Sequence, residues 1–346
     1  MITPFLPEGV NRLGEKLWTQ AGHSPAPDRI QELLEAPLNL EPNWPAPTQP
    51  IPVAGGHVHI EVVDDDRELL HEIMASSQNA GPEALAATAQ ALRLAVTPYR
   101  QAPRAMGRPK PSADSESHDG QSPTADPSAA KGALIVDLTT HWAGPLATAL
   151  FAEAGATVVK VDPECRPDGF RPRSRLYREL NGNKEIVDLD LRRDSDRECF
   201  ESLLVKAELV VESFSRRVMG NLGYDADRLR LLAPNLRHLS IKAHPTSSPE
   251  RDWLGYGPAI HAISGLAFGS VSVQGSRPAP MPCELAYPDP LAGLAAYGLG
   301  LRMLGAADRK HPQRHGEVTL RGSVQPLVDA QGTARRAGEQ RQQVSR

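Results

Sequence analysis

Apolar and polar residues form alternating blocks in the middle of the chain, and these blocks predict strands and helices in turn. The continuous apolar run Ala133–Thr139 is typical of a strand covered on both faces. A helix is predicted at Pro145–Glu153, because Pro145 suits a first turn and Gly155 lies just past the end. Thr157–Asp162 then predicts the second strand.

The same alternation continues towards the C-terminus. A capping box of Ser195 and Glu198 is predicted to open a helix that runs to Lys206. Two further strands and three further helices are predicted at Glu208–Ser213, Leu236–Ala243, Asp225–Leu232, Pro258–Phe268 and Pro290–Leu304. Strands that alternate with helices form βαβ units, so the predicted fold class is α/β, an open and mostly parallel sheet flanked by helices. Small residues in the last helix allow close packing on another backbone.

The first hundred residues have a different pattern, which predicts a small α+β region over 1–101. The predicted elements are a short helix, a proline-rich extended run, a strand and two helices, at Asp28–Glu35, Pro37–Val53, His57–Val63, Arg67–Ser76 and Gly81–Val96. Residues 102–131 are rich in Pro, Ser, Asp and Gly, so a disordered linker is predicted there. The main domain is expected over 132–330, with a flexible tail over 331–346.

Composition argues against several classes of protein but does not identify a function. The chain has 346 residues, a net charge of −4, 40% hydrophobic and 23% charged residues. This balance gives no support for a nucleic-acid or membrane surface, and no apolar run is long enough for a membrane span. No signal peptide is visible and the three cysteines are widely spaced, so a cytoplasmic protein without a disulfide framework is expected. The histidines share no ligand spacing, and no metal site is predicted.

Ligands of open parallel sheets bind outside the carboxyl ends of the strands. The predicted sheet has those ends near Thr139–Gly144, Asp162–Asp168, Ser213–Arg217 and Ala243–Ser247. The first turn contains Gly144 but no G-x-G-x-x-G or Walker-type loop, so neither dinucleotide nor P-loop binding is indicated.

Several segments in order resemble one enzyme family. LIVDLTTHWAGPLATALFAEAGATVVKVD, LNGNKEIVDLDLRR, LGYDADRLRLLAPNLRHLSI, GYGPAIHAISGLAFG and YPDPLAGLAAYGLGL together resemble the large domain of class III coenzyme A-transferases, a family that also contains α-methylacyl-CoA racemases. The resemblance implies a Rossmann-like large domain that uses CoA as a substrate. It also implies that a carboxylate attacks an acyl-CoA thioester and carries the CoA to an acceptor acid.

The family's nucleophile stands just before a small-residue helix, and the matching residue here is Asp289. The resemblance therefore implies that Asp289 is the catalytic residue. The alternative is an N-cap, because a carboxylate before the helix-starting Pro290 fills that role well.

The candidate CoA-binding residues combine positions that match the family with residues at the ends of predicted strands, and several of them have a simpler structural alternative. These are His141, Ala143, Lys184, Ser213, Phe214, Arg216, Arg217 and Tyr256. Lys184 is alternatively part of a turn before a strand, Phe214 a core aromatic, and Arg216 with Arg217 a solvated pair. Tyr256 stands where the racemase branch has a catalytic His, which favours transfer, although Gly257 replaces the family's next Asp. His261 is expected to be a buried helix residue.

Three departures from the family leave two functions open. The family's second domain and glycine-rich loop have no visible counterpart, and PECRPDGFRPRSR is only loosely similar to the family's segment. The favoured function is a CoA-transferase that moves CoA between an acyl-CoA and a carboxylic acid, as a homodimer or hetero-oligomer. The alternative is a degenerate member that binds CoA or serves as a partner subunit.

Overall fold

The protein contains two sheets that differ in direction and size. The computed structural model describes residues 5–40, 48–61, 66–77, 79–101, 124–165, 168, 174–268, 279–306 and 314–333. An antiparallel sheet with strand order β1-β2-β3 comprises Ile51–Val53, Gly56–Glu61 and Ala95–Pro98. A parallel sheet with order β6-β5-β4-β7-β8-β9 comprises, in chain order from β4, Leu134–Leu138, Thr157–Val161, Glu185–Val187, Leu209–Glu212, Arg237–Lys242 and His315–Thr319. The α/β prediction is confirmed.

Helices cover both faces of the parallel sheet. In chain order, α1 to α12 are Phe5–Gln20, Pro27–Leu40, Arg67–Ser76, Pro82–Ala91, Ala143–Glu153, Arg175–Asn181, Asp194–Lys206, Val218–Asn221, Ala226–Leu232, Gly257–Ile263, Pro288–Gly305 and Leu320–Ser323. A further helix runs over 325–333.

The central strands are apolar on both sides because two separate cores lie against them. Successive strand residues point to opposite faces. Accordingly, Ile135 of β4 packs with α1, α5 and α11, whereas Val136 packs with Phe200 and Leu204 of α7. Both layers exclude water from β4, which explains why four of its five residues are apolar.

Helix α11 is buried almost all round and packs closely on α5. A Cβ added at Gly293 would lie 2.7 Å from the Ala143 carbonyl oxygen, and one at Gly300 would lie 2.5 Å from Phe151 Cζ. Larger side chains do not fit between these two helices, which confirms the predicted role of the small residues.

The N-terminal region packs as two pieces. Helices α1 and α2 join the main core against α11; α1 was not predicted from the sequence. The second piece, called here the N-terminal unit, comprises β1–β3, α3 and α4. It has a small core of its own that includes Val58, Leu85 and Val96.

The N-terminal unit is anchored to the main domain by buried polar contacts. Arg100 donates to both carboxylate oxygens of Glu83 and to Glu250 Oε1, each at 2.8 Å. The Gln90 amide donates to the Leu254 carbonyl at 2.9 Å and accepts from the Leu254 N–H at 2.8 Å. The unit is therefore tied rigidly to the segment before α10.

Several predicted element bounds were wrong. The helix predicted over 81–96 ends at Ala91, because Arg93 adopts a left-handed φ of 65° and the chain then enters β3. The helix predicted over 258–268 is interrupted at Gly265, with φ of 86°, before a short 3-10 helix. Helix α2 extends to Leu40, into the run predicted to be extended.

The capping box prediction was also wrong, because Arg193 is the N-cap of α7 and Ser195 Oγ donates to Asp196 instead. At the end of the predicted linker, residues 124–131 are structured, and the 3-10 helix Pro127–Ala130 ends at the buried Ala130. Residues 102–123 and 334–346 lie outside the described residues, so linker and tail stay predictions there.

Candidate functional site

The main cleft opens where the strand order of the parallel sheet reverses. The chain moves from β4 outwards to β5 and β6, then returns to the other side of β4 to form β7. The loops after β4 and β7 therefore diverge, and a crevice forms outside their carboxyl ends. The cleft has a volume of about 680 Å³ and is lined by residues from both loops and from the N-terminal ends of α10 and α11.

A buried charge network fixes the turn between β4 and α5. Asp137 accepts from the Thr139 N–H at 2.8 Å and from the Thr139 hydroxyl at 2.6 Å. Lys160 Nζ donates to the Thr139 carbonyl at 2.5 Å. The next turn residue, His141, donates its N–H to Asp168 at 3.0 Å and has a left-handed φ of 67°. The network thus holds His141 at the cleft in a conformation that side chains rarely adopt.

The loops after β4 and β7 are joined directly at the cleft. The Thr140 N–H donates to Ser213 Oγ at 3.1 Å, and the Thr140 hydroxyl lies 3.0 Å from His141 Nδ1. The His141 ring lies 5.1 Å from the ring of Tyr256, which is exposed across the cleft. The predicted residues His141, Ala143, Ser213 and Tyr256 therefore all line one cavity.

Phe214 is positioned by a buried ion pair beneath it. Lys242 Nζ contacts both carboxylate oxygens of Glu212 at 2.5 and 2.8 Å. Glu212 accepts from the Phe214 N–H at 2.8 Å, while Lys242 donates to the Phe214 carbonyl at 2.8 Å. Both the N–H and the carbonyl of Phe214 are therefore hydrogen-bonded, and its side chain is half-buried at the cleft.

Asp289 also lines this cleft, and it does not cap the helix. Helix α11 begins at Pro288 rather than Pro290, and its N-cap is Tyr287, which has no side-chain cap hydrogen bond. The alternative of an Asp289 cap was therefore wrong. The side chain lies in the first turn with 8% of its surface exposed.

The surroundings of Asp289 favour its protonated form. Burial, and secondarily the nearby Glu61 carboxylate, raise the pKa of Asp289 to about 7, although the Gly257 N–H donates to it and opposes the shift. Within the part of the chain that the structure describes, no Lys or Arg is paired with this carboxylate. A carboxyl group with a pKa near neutrality in a cleft is a candidate reactive group.

Three predicted residues occupy different environments. The Lys184 side chain is fully buried and donates to Asp137, Thr148 and Asn181 at 2.7–3.0 Å, so its ammonium faces the interior and not the cleft. Asn181 and Lys184 of the NGNK turn are buried, whereas Gly182 and Asn183 are exposed, and the sequence pattern did not reveal which way the lysine points.

Arg216 reaches the cleft but is held by Glu317, through contacts of 2.5 and 3.0 Å, and by the His244 carbonyl. Arg217 is exposed at the start of α8 and does not line the cleft. His261 is buried as expected, and burial lowers its pKa to about 4.

Other cleft residues were missed from the sequence. Arg93 belongs to the N-terminal unit, and its guanidinium donates to the Asp252 carbonyl at 3.0 Å at the cleft edge. Arg192 and Arg251 have largely exposed side chains at the same cavity. No local pattern signals these cations, because only the tertiary fold brings them together.

Two searches of the described residues bear on other classes of site. They contain no group of three or more His, Cys, Asp or Glu side chains arranged to hold a metal ion. They also contain no helix of the length and apolar character that a membrane crossing requires.

Comparisons with known proteins agree on one family. The acetyl-CoA:oxalate CoA-transferase of Acetobacter aceti is 28% identical over 39% of this chain and 36% of its own length. The succinyl-CoA:mesaconate CoA-transferase of Haloarcula hispanica is 36% identical over 31% of this chain and 30% of its own length. This chain spans about a third of the length of these relatives.

A solved structure has a similar fold. A CAIB/BAIF family protein from Brucella suis superimposes with a TM-score of 0.52 and 20% identity, over 60% of this chain and 57% of that one. The pattern described as CoA-transferase family III matches residues 131–345, well over half of the chain. The protein therefore belongs to CoA-transferase family III.

Proposed function

We propose that this protein transfers coenzyme A from an acyl-CoA thioester to a carboxylic acid through a covalent intermediate on Asp289. One observation carries the proposal: Asp289 lines the cleft at the switch point of a family III domain, with no helix-capping role to account for it. Its position in the first turn of a fully packed helix holds the carboxylate still, as catalysis by a nucleophile requires.

The chemistry needs no net proton transfer. An Asp289 oxygen attacks the thioester carbonyl carbon and the C–S bond breaks. CoA leaves as a thiolate, and the acyl group stays on Asp289 as a mixed anhydride. The thiolate then attacks the Asp289 carbonyl carbon and expels the first acid as a carboxylate. An acceptor carboxylate next displaces the thiolate from the aspartyl thioester. This displacement joins the acceptor to Asp289 as a second mixed anhydride. The thiolate then attacks the acceptor's acyl carbon, the anhydride C–O bond breaks, and the new acyl-CoA and the free Asp289 carboxylate are formed.

The environment of Asp289 supports this role. Burial raises the pKa of Asp289 to about 7, and a more basic carboxylate is a stronger nucleophile while remaining partly ionised at neutral pH. A paired cation would lower both its basicity and its reactivity. The absence of such a pair among the described residues therefore favours a reactive group over a structural one.

The remainder of the cleft supports CoA as the ligand. Its volume of about 680 Å³ lies in the range of small-molecule sites. The half-buried ring of Phe214 offers an adenine-stacking surface, and the exposed cations Arg93, Arg192 and Arg251 suit the phosphates at the open end. His141 and Tyr256 line the same cleft as Asp289 and pack against each other there.

Small dicarboxylic acids are the acceptors we propose to test first. The names of two relatives contain oxalate and mesaconate, and this chain shares their family pattern. The donors to test are accordingly acetyl-CoA and succinyl-CoA, with oxalate and mesaconate as acceptors.

Intact-protein mass spectrometry tests the proposal directly. The protein is incubated with acetyl-CoA or succinyl-CoA, with and without hydroxylamine as a trap. We expect a CoA-sized or acyl-sized adduct that hydroxylamine removes and that Asp289→Asn abolishes. The matched control, Asp227→Asn, changes an exposed aspartate on α9 and should keep the adduct. CoA binding by calorimetry without an adduct from any donor would instead identify a CoA-binding subunit.

A further inference from the structure

Two carboxylates accept hydrogen bonds from consecutive backbone N–H groups beside the cleft. Glu61 Oε2 accepts from the Tyr256 N–H at 3.3 Å, and the Asp289 carboxylate accepts from the next amide, that of Gly257. The contact at Gly257 is close: a Cβ added there would lie 2.2 Å from Asp289 Oδ2. The Tyr256–Gly257 turn is therefore the physical link between Glu61 and Asp289.

Glu61 lies outside the part of the chain that matches the family. It is the last residue of β2 in the N-terminal unit, whereas the family pattern begins at residue 131. The unit is held against the turn by the paired Gln90–Leu254 hydrogen bonds two residues before Tyr256. Glu61 is thus delivered to the turn by a rigid contact between two separate parts of the protein.

We propose that Glu61 of the N-terminal unit is a positioning residue of the site, which fixes the Tyr256–Gly257 turn and, through this turn, the Asp289 carboxylate that contacts it. This inference rests on the proposed function of Asp289. Glu61 does not line the cleft, so it acts through Asp289 and the turn and not on the substrate. The geometry gives the N-terminal unit a part in the site, beyond packing on the main domain.

The other titratable groups near Asp289 are largely neutral. His59 of β2 lies beside Glu61, with Nε2 3.3 Å from Oε1. Burial raises the pKa of Cys283 and Tyr287 in the segment before α11, and of Tyr99 after β3, so all three stay uncharged at neutral pH. From α10, burial lowers the pKa of His261 to about 4.

Two cleft groups and one more carboxylate complete the surroundings of Asp289. His141 and Tyr256 line the same cleft as Asp289, and Glu284 lies near Cys283. Glu61 is the carboxylate whose charge raises the pKa of Asp289. Replacing Glu61 by a neutral residue should therefore favour the ionised form of Asp289, and its titration should move to lower pH.

The test compares Glu61→Gln with Glu72→Gln in the full-length protein. Glutamine keeps an acceptor for the Tyr256 N–H and removes only the charge, while Glu72 is an exposed glutamate of the same unit. Isotope-edited infrared spectroscopy of protein labelled with ¹³C-aspartate, referenced to Asp289→Asn, reports the Asp289 carboxyl titration. We expect the midpoint to fall by about one pH unit in Glu61→Gln and not in Glu72→Gln.

The pH dependence of kcat/KM is a second measurement, and a purely structural role of Glu61 would not shift it. The acid limb of kcat/KM against pH should shift with the infrared midpoint, whereas simple damage would lower the rate equally at every pH. An unchanged midpoint and an unshifted limb in a folded Glu61→Gln protein would overturn the inference. The infrared titration needs no turnover, so a missing covalent adduct counts against the proposed function alone.

Discussion

Two buried aspartates of the same domain have opposite electrostatic environments. Asp137 lies at the centre of the network under the β4–α5 turn, and Asp289 lies in the first turn of α11. Burial alone would raise the pKa of Asp137, but Lys184, Lys160 and two hydroxyl donors outweigh it and hold that pKa well below its ordinary range. Burial raises the pKa of Asp289 to about 7; Glu61 adds to this effect, and no cation among the residues that the structure describes opposes it.

The difference teaches where stability and reactivity lie in this fold. A carboxylate with all its lone pairs occupied by Lys184, Thr139 and Thr148 serves to shape a turn. A carboxylate that lies beside a cleft and accepts only from backbone N–H groups, those of Gly257 and of Asp289 itself, keeps its basicity. Burial is common to both, so the partners decide the role.

The largest expected effect is on stability, from Asp137→Asn. The change leaves Lys184 buried and charged without its counterion. Removing one partner of a buried pair costs about 3–5 kcal/mol of unfolding free energy. Urea unfolding at pH 7 measures it. Because the pKa of Asp137 is depressed in the folded state, its stabilisation is full above about pH 4 and is lost as the pH falls further, so the loss should shrink in acid.

Asp227→Asn is the control for Asp137→Asn. Asp227 pairs with Arg230 on the exposed surface of α9, and such pairs contribute little. Equal destabilisation by both changes would show that the network under β4 is not the stabilising element described here.

Asp289→Asn should raise the free energy of unfolding, whereas Asp137→Asn lowers it. A folded-state pKa of about 7 against an ordinary 3.8 means that the native protein loses stability as the pH rises from about 4 to 7. The asparagine variant escapes this penalty. We expect it to match the parent at pH 4 and to exceed it at pH 8 by up to about 4 kcal/mol, since one pKa unit corresponds to 1.36 kcal/mol.

Thermal or urea unfolding of the Asp289→Asn variant at both pH values checks this expectation. A variant that is less stable than the parent at pH 8 would mean that Asp289 is ionised and well paired, as Asp137 is. The comparison between the two aspartates would then fail.

The smallest effect tests the geometry around Asp289 and leaves its charge intact. In Gly257→Ala, the new methyl would lie 2.2 Å from Asp289 Oδ2 and 3.0 Å from the Ala286 carbonyl oxygen, so the carboxylate must move. A displacement of about 1 Å at a reacting group costs on the order of 10²-fold in rate. The rate of CoA transfer measures it, with Gly220→Ala as control, because nothing lies within 4 Å of that position. Equal rates in the two variants would contradict a tight contact between the turn and Asp289.

Much of the fold was predictable because local patterns encode it. The apolar run of β4, Pro145 with Gly155 around α5, and the small residues of α11 each indicated the observed element. Helix α1 was missed, because its apolar face becomes meaningful only when α11 covers it. The end of α4 was missed because an arginine rarely takes the left-handed φ that Arg93 adopts.

The site was predictable only in part. Residues that follow strand ends, such as His141, Ser213 and Phe214, reached the cleft because parallel strands deliver their carboxyl ends to one edge. Lys184 did not, because its turn faces the buried Asp137. Glu61 and Arg93 had no local signal at all, since both come from a unit distant in sequence.

The sequence by itself determined the alternation of strands and helices, and hence an α/β domain with ligand-facing loops at one edge. Side-chain periodicity and helix-ending residues act over a few positions, so these features can be read locally. Tertiary structure alone decided that Asp137 would lie beside two lysines, while Asp289 would have no cation beside it among the described parts of the chain. The protonation of a buried carboxyl depends on groups within a few ångströms in space, and here those groups lie far apart along the chain.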